Sequence, residues 1–263
     1  MSESSLEISI DRRIARIALN RPQVHNAFDD ALIAGLTSTL LKLENDKHVR
    51  VIVLTGNGAS FSAGADLNWM RAMAKASETE NRADAERLAA LMRTLNFLAK
   101  PTVARVNGAA YGGGVGLVAC CDVAIAVDTA KFGLTEVKLG LVPAVISPYV
   151  VAAIGPRHAR RLFVSGEVFE AADAARIGLV HQITFADKLD ENVERMADVL
   201  CNGGPAAQRE AKLLALRIGG MQPEAAQSTD VENAALIAAL RVSAEGQEGL
   251  AAFLGKRKPH WQG

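Results

Sequence analysis

The stretch that decides the fold is Asn107-Gly108-Ala109-Ala110-Tyr111-Gly112-Gly113-Gly114-Val115-Gly116-Leu117-Val118-Ala119-Cys120-Cys121-Asp122. The apolar run before it, Thr102–Val106, has the composition of a buried strand, and Asn107-Gly108 breaks it. Three consecutive glycines then lead into Val115–Cys121, a segment without charge. Glycine lacks a Cβ and tolerates positive φ and close backbone approach. The run therefore reads as a strand-to-helix turn whose first helical amides are bare. Such amides carry partial positive charge and suit a developing anion.

A second stretch has the same character. Val51–Leu54 is an apolar run followed by Thr55-Gly56-Asn57-Gly58, and Phe61-Ser62-Ala63-Gly64-Ala65-Asp66-Leu67 turns small residues into a predicted helix. Two turns of this kind can aim two backbone amides at one oxygen, which is what an oxyanion hole requires.

Working outward, Leu6–Ile10 and Ile14–Leu19 alternate around Asp11-Arg12-Arg13 and predict a hairpin. Asn26 is the expected cap of a helix carrying Phe28, Leu32, Leu36, Leu40 and Leu43 at helical spacing. Val49–Leu54 is the next expected strand, and Glu78–Leu98 a helix with Leu88, Leu91, Met92, Leu95 and Leu98 on its apolar face, stopped by Lys100-Pro101. Asp122–Val127 and Lys131–Gly133 read as extended. This alternation predicts an α/β fold with a largely parallel sheet. Beyond Gly155 the chain turns helical: Pro156–Val164, Ala171–Ile177, Asp187–Cys201, Pro205–Ile218, Glu224–Leu240 and Ala244–Leu254, with a short strand at Leu179–Ile183. The expected division is an α/β core over 1–200 and a helical region over 201–263.

Composition narrows the function classes. Lys+Arg and Asp+Glu are both 29, so the net charge is zero and no basic excess suggests nucleic acid. Near-neutral charge permits self-association. Cys120, Cys121 and Cys201 have no Cys-x-x-Cys spacing, so neither zinc nor a disulfide framework is supported, and buried thiols in a reducing cytoplasm are expected. Met1–Glu7 has the features of neither a signal peptide nor an Arg-rich transit peptide, and no apolar run reaches transmembrane length. Gly114-x-Gly116-x-x-Ala119 matches a dinucleotide fingerprint, with Asp128 as the acid. It begins well beyond the strand end at Val106, however, and Asp128 is nearer than the roughly 20-residue spacing such sites use.

Together the two turns resemble the crotonase (enoyl-CoA hydratase/isomerase) superfamily. The resemblance extends to Asn20-Arg21-Pro22 with Asn26-Ala27, to Phe132-Gly133-Leu134-Thr135-Glu136 with Gly140-Leu141-Val142-Pro143, and to Phe253-Leu254-Gly255-Lys256-Arg257. Each piece alone is weak; in this order they cover the whole chain. The resemblance implies a spiral of ββα turns whose C-terminal helices pack in a homotrimer or homohexamer. It implies an acyl-CoA substrate, with coenzyme A belonging to the substrate and no separate cofactor, metal or membrane partner. A catalytically silent scaffold, RNA binding included, is the other function class.

By the same resemblance the oxyanion donors are the amides of Ala65 and Gly113, and Glu136 is the acid/base. Its apolar sequence surroundings would raise its pKa toward the working range. Ala63, Ala65, Asp66, Leu67, Gln23 and Val24 are expected along coenzyme A, with Lys256 on a phosphate. Trp69, Met70, Tyr111, Gly112, Gly116 and Val142 are expected around the acyl group. His25 is expected to be structural. Gly116 stands where the family's hydratases carry a second Glu. A single Glu suits a double-bond isomerase, which moves one proton between two carbons.

Tyr111–Leu117 with Val142–Val150 also resembles bacterial methylglutaconyl-CoA hydratases, whose substrate brings its own distal carboxylate. Lys138, Arg157 and His158 are the candidate cations for it.

Overall fold

The structure is a computed structural model that describes residues 4–263, so the reading of Met1–Glu7 falls outside it for Met1, Ser2 and Glu3. The predicted hairpin is present as β1 (Leu6–Asp11) and β2 (Ile14–Leu19), antiparallel, turning through Arg12 and Arg13 at positive φ. From β2 onward every step of the first sheet is parallel. β2 pairs with β3 (Val51–Gly56), and next to that lie β5 (Thr102–Val106), β7 (Val123–Val127) and β10 (Gln182–Thr184). The inner strands read as continuous apolar runs because helices cover the sheet.

The second sheet is built from strands of three residues each. These are β4 (Ser60–Ser62), β6 (Ala109–Tyr111) and β8 (Lys131–Gly133), mutually parallel, and β9 (Val168–Glu170), antiparallel at the edge. Each turn of the chain lays one strand in the large sheet and the next in the small one, β3 then β4, β5 then β6, β7 then β8. That is the expected spiral. Of these strands β8 lies where the sequence read as extended, at Lys131–Gly133; β4 and β6, short and rich in Ser and Ala, show no readable period and were not located from residue patterning.

Helix α1 (Asp30–Asn45) buries Leu32, Ile33, Leu36, Leu40 and Leu43, as its spacing predicted. Its cap is Asp29, whose carboxylate accepts from the Leu32 amide at 2.8 Å, and not Asn26. Asn26 is fully buried, sits in the left-handed region at φ 55°, and acts as a clamp. It accepts from the Arg21 amide at 2.9 Å and donates to the Asn57 and Ser60 carbonyls at 2.9 and 2.8 Å. Helix α2 (Leu67–Lys75) starts on the Asp66 carboxylate, and α3 (Glu78–Asn96) on a reciprocal Ser77/Glu80 capping box.

Helix α4 (Gly113–Cys120) begins at the glycine run. The helical part of the chain starts earlier than expected, with α5 (Ser147–Ser165), broken at Gly155 where φ is 74°. Pro148 in its first turn is the start signal. The strand expected at Leu179–Ile183 lies at Gln182–Thr184. The remaining helices are α6 (Ala171–Arg176), α7 (Leu189–Cys201), α8 (Pro205–Ile218), α9 (Pro223–Val242) and α10 (Ala244–Leu254). Helix α9 packs along α3, and α10 lies on α2 and on the short 3-10 helix Glu136–Leu139. A Cβ on Gly249 of α10 would stand 2.2 Å from the Leu139 carbonyl, so the two backbones are in direct contact.

Replacing Asn26 by Ala removes the partners of the Arg21 amide and the Asn57 carbonyl, and leaves the Ser60 carbonyl only its longer bond from Asn107 at 3.3 Å. Unpaired buried groups of this kind cost about 1–3 kcal/mol each. Asn26→Ala should therefore lower the urea midpoint by more than an exposed control such as Asn45→Ala does, at equal protein concentration.

Candidate active site

Parallel pairing fixes where the site can form. Ser62 pairs with Ala110, and Tyr111 with Gly133, so β4, β6 and β8 end side by side. The chain just beyond those ends carries Ala65, Gly113 and Glu136. Parallel strands deliver their carboxyl ends to one edge, the usual place for a ligand in an α/β sheet.

The Ala65 turn is held by the segment before α1. Phe28 donates to the Gly64 carbonyl at 2.6 Å, Asp66 donates to the Phe28 carbonyl at 2.9 Å, and Ala63 donates to His25 at 2.9 Å. In this parallel bridge between Phe28 and Ala65, the bonds use the atoms flanking Ala65 and turn its own N–H the other way. Arg21 ties the turn down, with Nη2 at 3.0 Å from Asp66 and 2.9 Å from Asp29, and Nη1 donating to the Ala27 carbonyl at 2.6 Å. Gly113 is the first residue of α4, so its amide has no acceptor within the helix. Among the described residues neither the Ala65 nor the Gly113 amide donates to a backbone acceptor.

The glycines have separate jobs. Gly112 sits at φ 48°, and a Cβ there would lie 3.0 Å from Oε1 of Glu136, so the bare backbone makes room for the carboxyl group. A Cβ on Gly113 would meet the Phe28 ring at 2.4 Å, so it is that ring, and not the ligand, that a side chain at 113 would strike first. A Cβ on Gly116 would meet Cγ2 of Ile146 at 2.4 Å. Gly116, expected from the sequence around the acyl group, is therefore not among the residues that line the cavity. It lies behind Ile146, which takes that place.

Glu136 opens the short helix after β8. Its Oε2 is closed off from solvent and has no hydrogen-bond partner. Burial disfavours the charged form and raises its pKa from the ordinary 4.5 to about 7, with its own backbone contact pulling weakly the other way. Glu136 and the two amides border one cavity of about 520 Å³.

Most of the expected wall is in place: Ala63, Ala65, Trp69, Met70, Tyr111, Gly112, Gly113 and Val142 all line it. Glu136 is the only carboxylate among the lining residues, which are otherwise largely apolar. Other expected residues stand apart. Asp66 caps α2 and pairs with Arg21, and Leu67 is exposed on that helix. Gln23 and Val24 form a separate 3-10 turn, and Lys256 lies just past α10, beside Arg257 and Lys258 at the cavity's edge. Arg157 and His158 line a different surface hollow with Arg160 and Arg161, so they are not placed to meet an acyl group in this cavity. Lys138 does line it. His25 is bonded to Ser60 at 3.0 Å, a structural role as expected.

Arg241 was missed. It lines the cavity from the end of α9, with its guanidinium carbon 5.4 Å above the centre of the Trp69 ring. A signal was present: Ala234, Ile237 and Ala238 form the buried face of α9, and Arg241 continues that face.

The family model for enoyl-CoA hydratase/isomerase matches residues 9–263. The chain is 34% identical to the 2,3-dehydroadipyl-CoA hydratase of Escherichia coli, over 99% of each chain. It is 30% identical to the crotonyl-CoA hydratase of Syntrophomonas wolfei, again over 99% of each. An enoyl-CoA hydratase crystal structure from Shewanella pealeana superimposes with a TM-score of 0.80 at 42% identity, covering 98% of this chain and 96% of that one. The chain belongs to the enoyl-CoA hydratase/isomerase family, the crotonase superfamily.

The raised pKa of Glu136 fixes a sign. Below about 4.5 both folded and unfolded states hold the proton, and above about 7 neither does. Between these values the folded state binds more protons, so this group's contribution to stability falls as pH rises through that window. Glu136→Gln should therefore melt higher than the parent at pH 8, with the gap closing toward pH 4. A melting difference independent of pH would contradict the buried, uncharged carboxyl.

Proposed function

We propose that the protein hydrates a 2-enoyl-CoA thioester, with 3-methylglutaconyl-CoA or a related branched acyl group as substrate. The observation that carries this reading is the lone carboxyl of Glu136, its Oε2 closed off and unpartnered, at the same strand edge as two unbonded amides. In the proposed reaction the thioester oxygen sits between the amides of Ala65 and Gly113. Glu136 takes a proton from water as the water oxygen bonds to Cβ, and the electron pair of the double bond moves onto the thioester as an enolate. The amides stabilise that charge, and Glu136 then returns the proton to Cα.

Water must be ordered without a second glutamate, since Ile146 fills the space next to Gly116. A substrate with its own distal carboxylate supplies a further polar group there. The relative named for 2,3-dehydroadipyl-CoA acts on a thioester of that kind. The single carboxylate also favours a second reading, movement of a 3-enoyl double bond to the 2-position by one proton carrier.

Product analysis in deuterated water separates the two. Hydration yields a 3-hydroxyacyl-CoA from 3-methylglutaconyl-CoA and acts far better on it than on crotonyl-CoA. Isomerisation adds no water. Glu136→Gln should lose about 10²–10⁴ in rate, the usual worth of a positioned proton carrier. A fully active Glu136→Gln enzyme would sink both readings.

Assembly as a trimer or a dimer of trimers belongs to the same proposal. Helix α8 has no buried residue in the single chain, and Leu214, Ile218 and Val199 are exposed apolar side chains of this C-terminal region. Such a surface fits a subunit contact. Sedimentation at micromolar concentration should give a trimer or hexamer; a monomer would count against it.

A further inference from the structure

The cavity holds a second polar feature that the proton chemistry does not use. Arg241 is nearly enclosed, with its side chain 12% exposed. Its Nη1 donates to Asp84 at 3.0 Å and to Asn81 at 3.2 Å, both fully buried residues of α3. Those bonds and the Trp69 ring beneath fix the guanidinium plane. Among the described residues Nη1 is the only side-chain nitrogen of Arg241 that donates to the protein, which leaves Nε and Nη2 without protein partners. Asp84 does not cancel its charge fully, because Asp84 is shared with Arg87 at 3.2 Å. Independently, Nε1 of Trp69 is a buried donor with no partner. Both side chains line the same cavity as Glu136.

We propose that Arg241 and the indole N–H of Trp69 form the receptor for the distal carboxylate of a dicarboxylic acyl-CoA. This rests on the reading of the cavity as an enoyl-CoA site. A carboxylate entering an apolar cavity must be paired and hydrogen-bonded. A guanidinium anchored through one nitrogen presents its remaining fork to a carboxylate, a bidentate geometry that lysine does not offer. The competing cations fit less well. Lys138 is exposed, and Arg257 is clamped by Glu248 through two bonds of 2.6 Å. An uncharged acyl chain would leave both Arg241 and Trp69 unsatisfied, so the same pair discriminates against it.

The test is binding, which does not depend on turnover. Titration calorimetry compares glutaryl-CoA with butyryl-CoA, saturated thioesters that differ at the distal end. The parent should prefer glutaryl-CoA by about 10- to 100-fold, the usual worth of a hydrogen bond to a charged group. Arg241→Leu, made together with Asp84→Asn so that no carboxylate is stranded, should bring the ratio near one. Trp69→Phe keeps an aromatic face at this position while removing the indole donor, and should reduce the glutaryl/butyryl ratio several-fold, the ratio itself correcting for the smaller ring. Three results would overturn the receptor: no preference in the parent, a preference that survives in folded Trp69→Phe and in the double variant, or a preference lost in Lys138→Met instead. If the Arg241-dependent preference is present but 3-methylglutaconyl-CoA gives no 3-hydroxy product, the receptor stands and the hydration reading falls.

Discussion

Parallel pairing of three very short strands is the constraint on which the site depends. An antiparallel strand would send its following turn to the opposite edge, and one residue of register slip would rotate each turn to the other face. With β4, β6 and β8 parallel, and a register shift between Ser60 and Ser62 that sets Ser62 opposite Ala110, the turn at Ala65, the helix start at Gly113 and the carboxyl of Glu136 emerge together. The strands are too short to hold themselves. They are held by the longer strands that precede them, β3, β5 and β7, each within the same turn of the spiral. The large sheet is thus the scaffold, and the small one the part that aims the backbone.

That edge allows a carboxyl group to be kept without a partner. Gly112 removes the side chain that would crowd Oε1, and β8 with the helix after it fixes the chain on either side of Glu136. The cost is a proton affinity far above that of a solvated glutamate. The same feature suits proton transfer near neutral pH, where donor and acceptor forms are both available.

Sequence reading reached the features that local chemistry dictates. The glycine run, the small-residue turn and the apolar run before each were legible, because bare amides at a turn need small residues next to a strand end. Glu136 was legible through its apolar neighbours and the family resemblance. Asn26 was misread: capping preference says what an Asn can do locally, while its partners, Asn57 and Ser60, lie a full spiral turn away. Gly116 was placed in the wall for the same reason, since nothing near it in sequence announces Ile146. Arg157 and His158 were candidates as cations, but α5 carries them to another surface.

The division of labour within the cavity follows from which elements supply each wall. The reacting end is lined by backbone of the small sheet's turns, where almost any side-chain change disturbs the aim of an amide. The far wall comes from helices: Trp69, Met70 and Met73 from α2, Leu88 from α3, Ile237 and Arg241 from α9. Those residues act through their side chains, on elements whose own hydrogen bonds are complete within the helix. A substitution there alters length, polarity or charge of the acyl site and leaves the strand register untouched. Reaction type is therefore tied to the spiral itself, and acyl preference to helix faces brought together from distant parts of the chain. On the proposed reading, one nearly enclosed arginine of α9 then weighs more in choosing the substrate than the whole glycine run, which acts at the thioester.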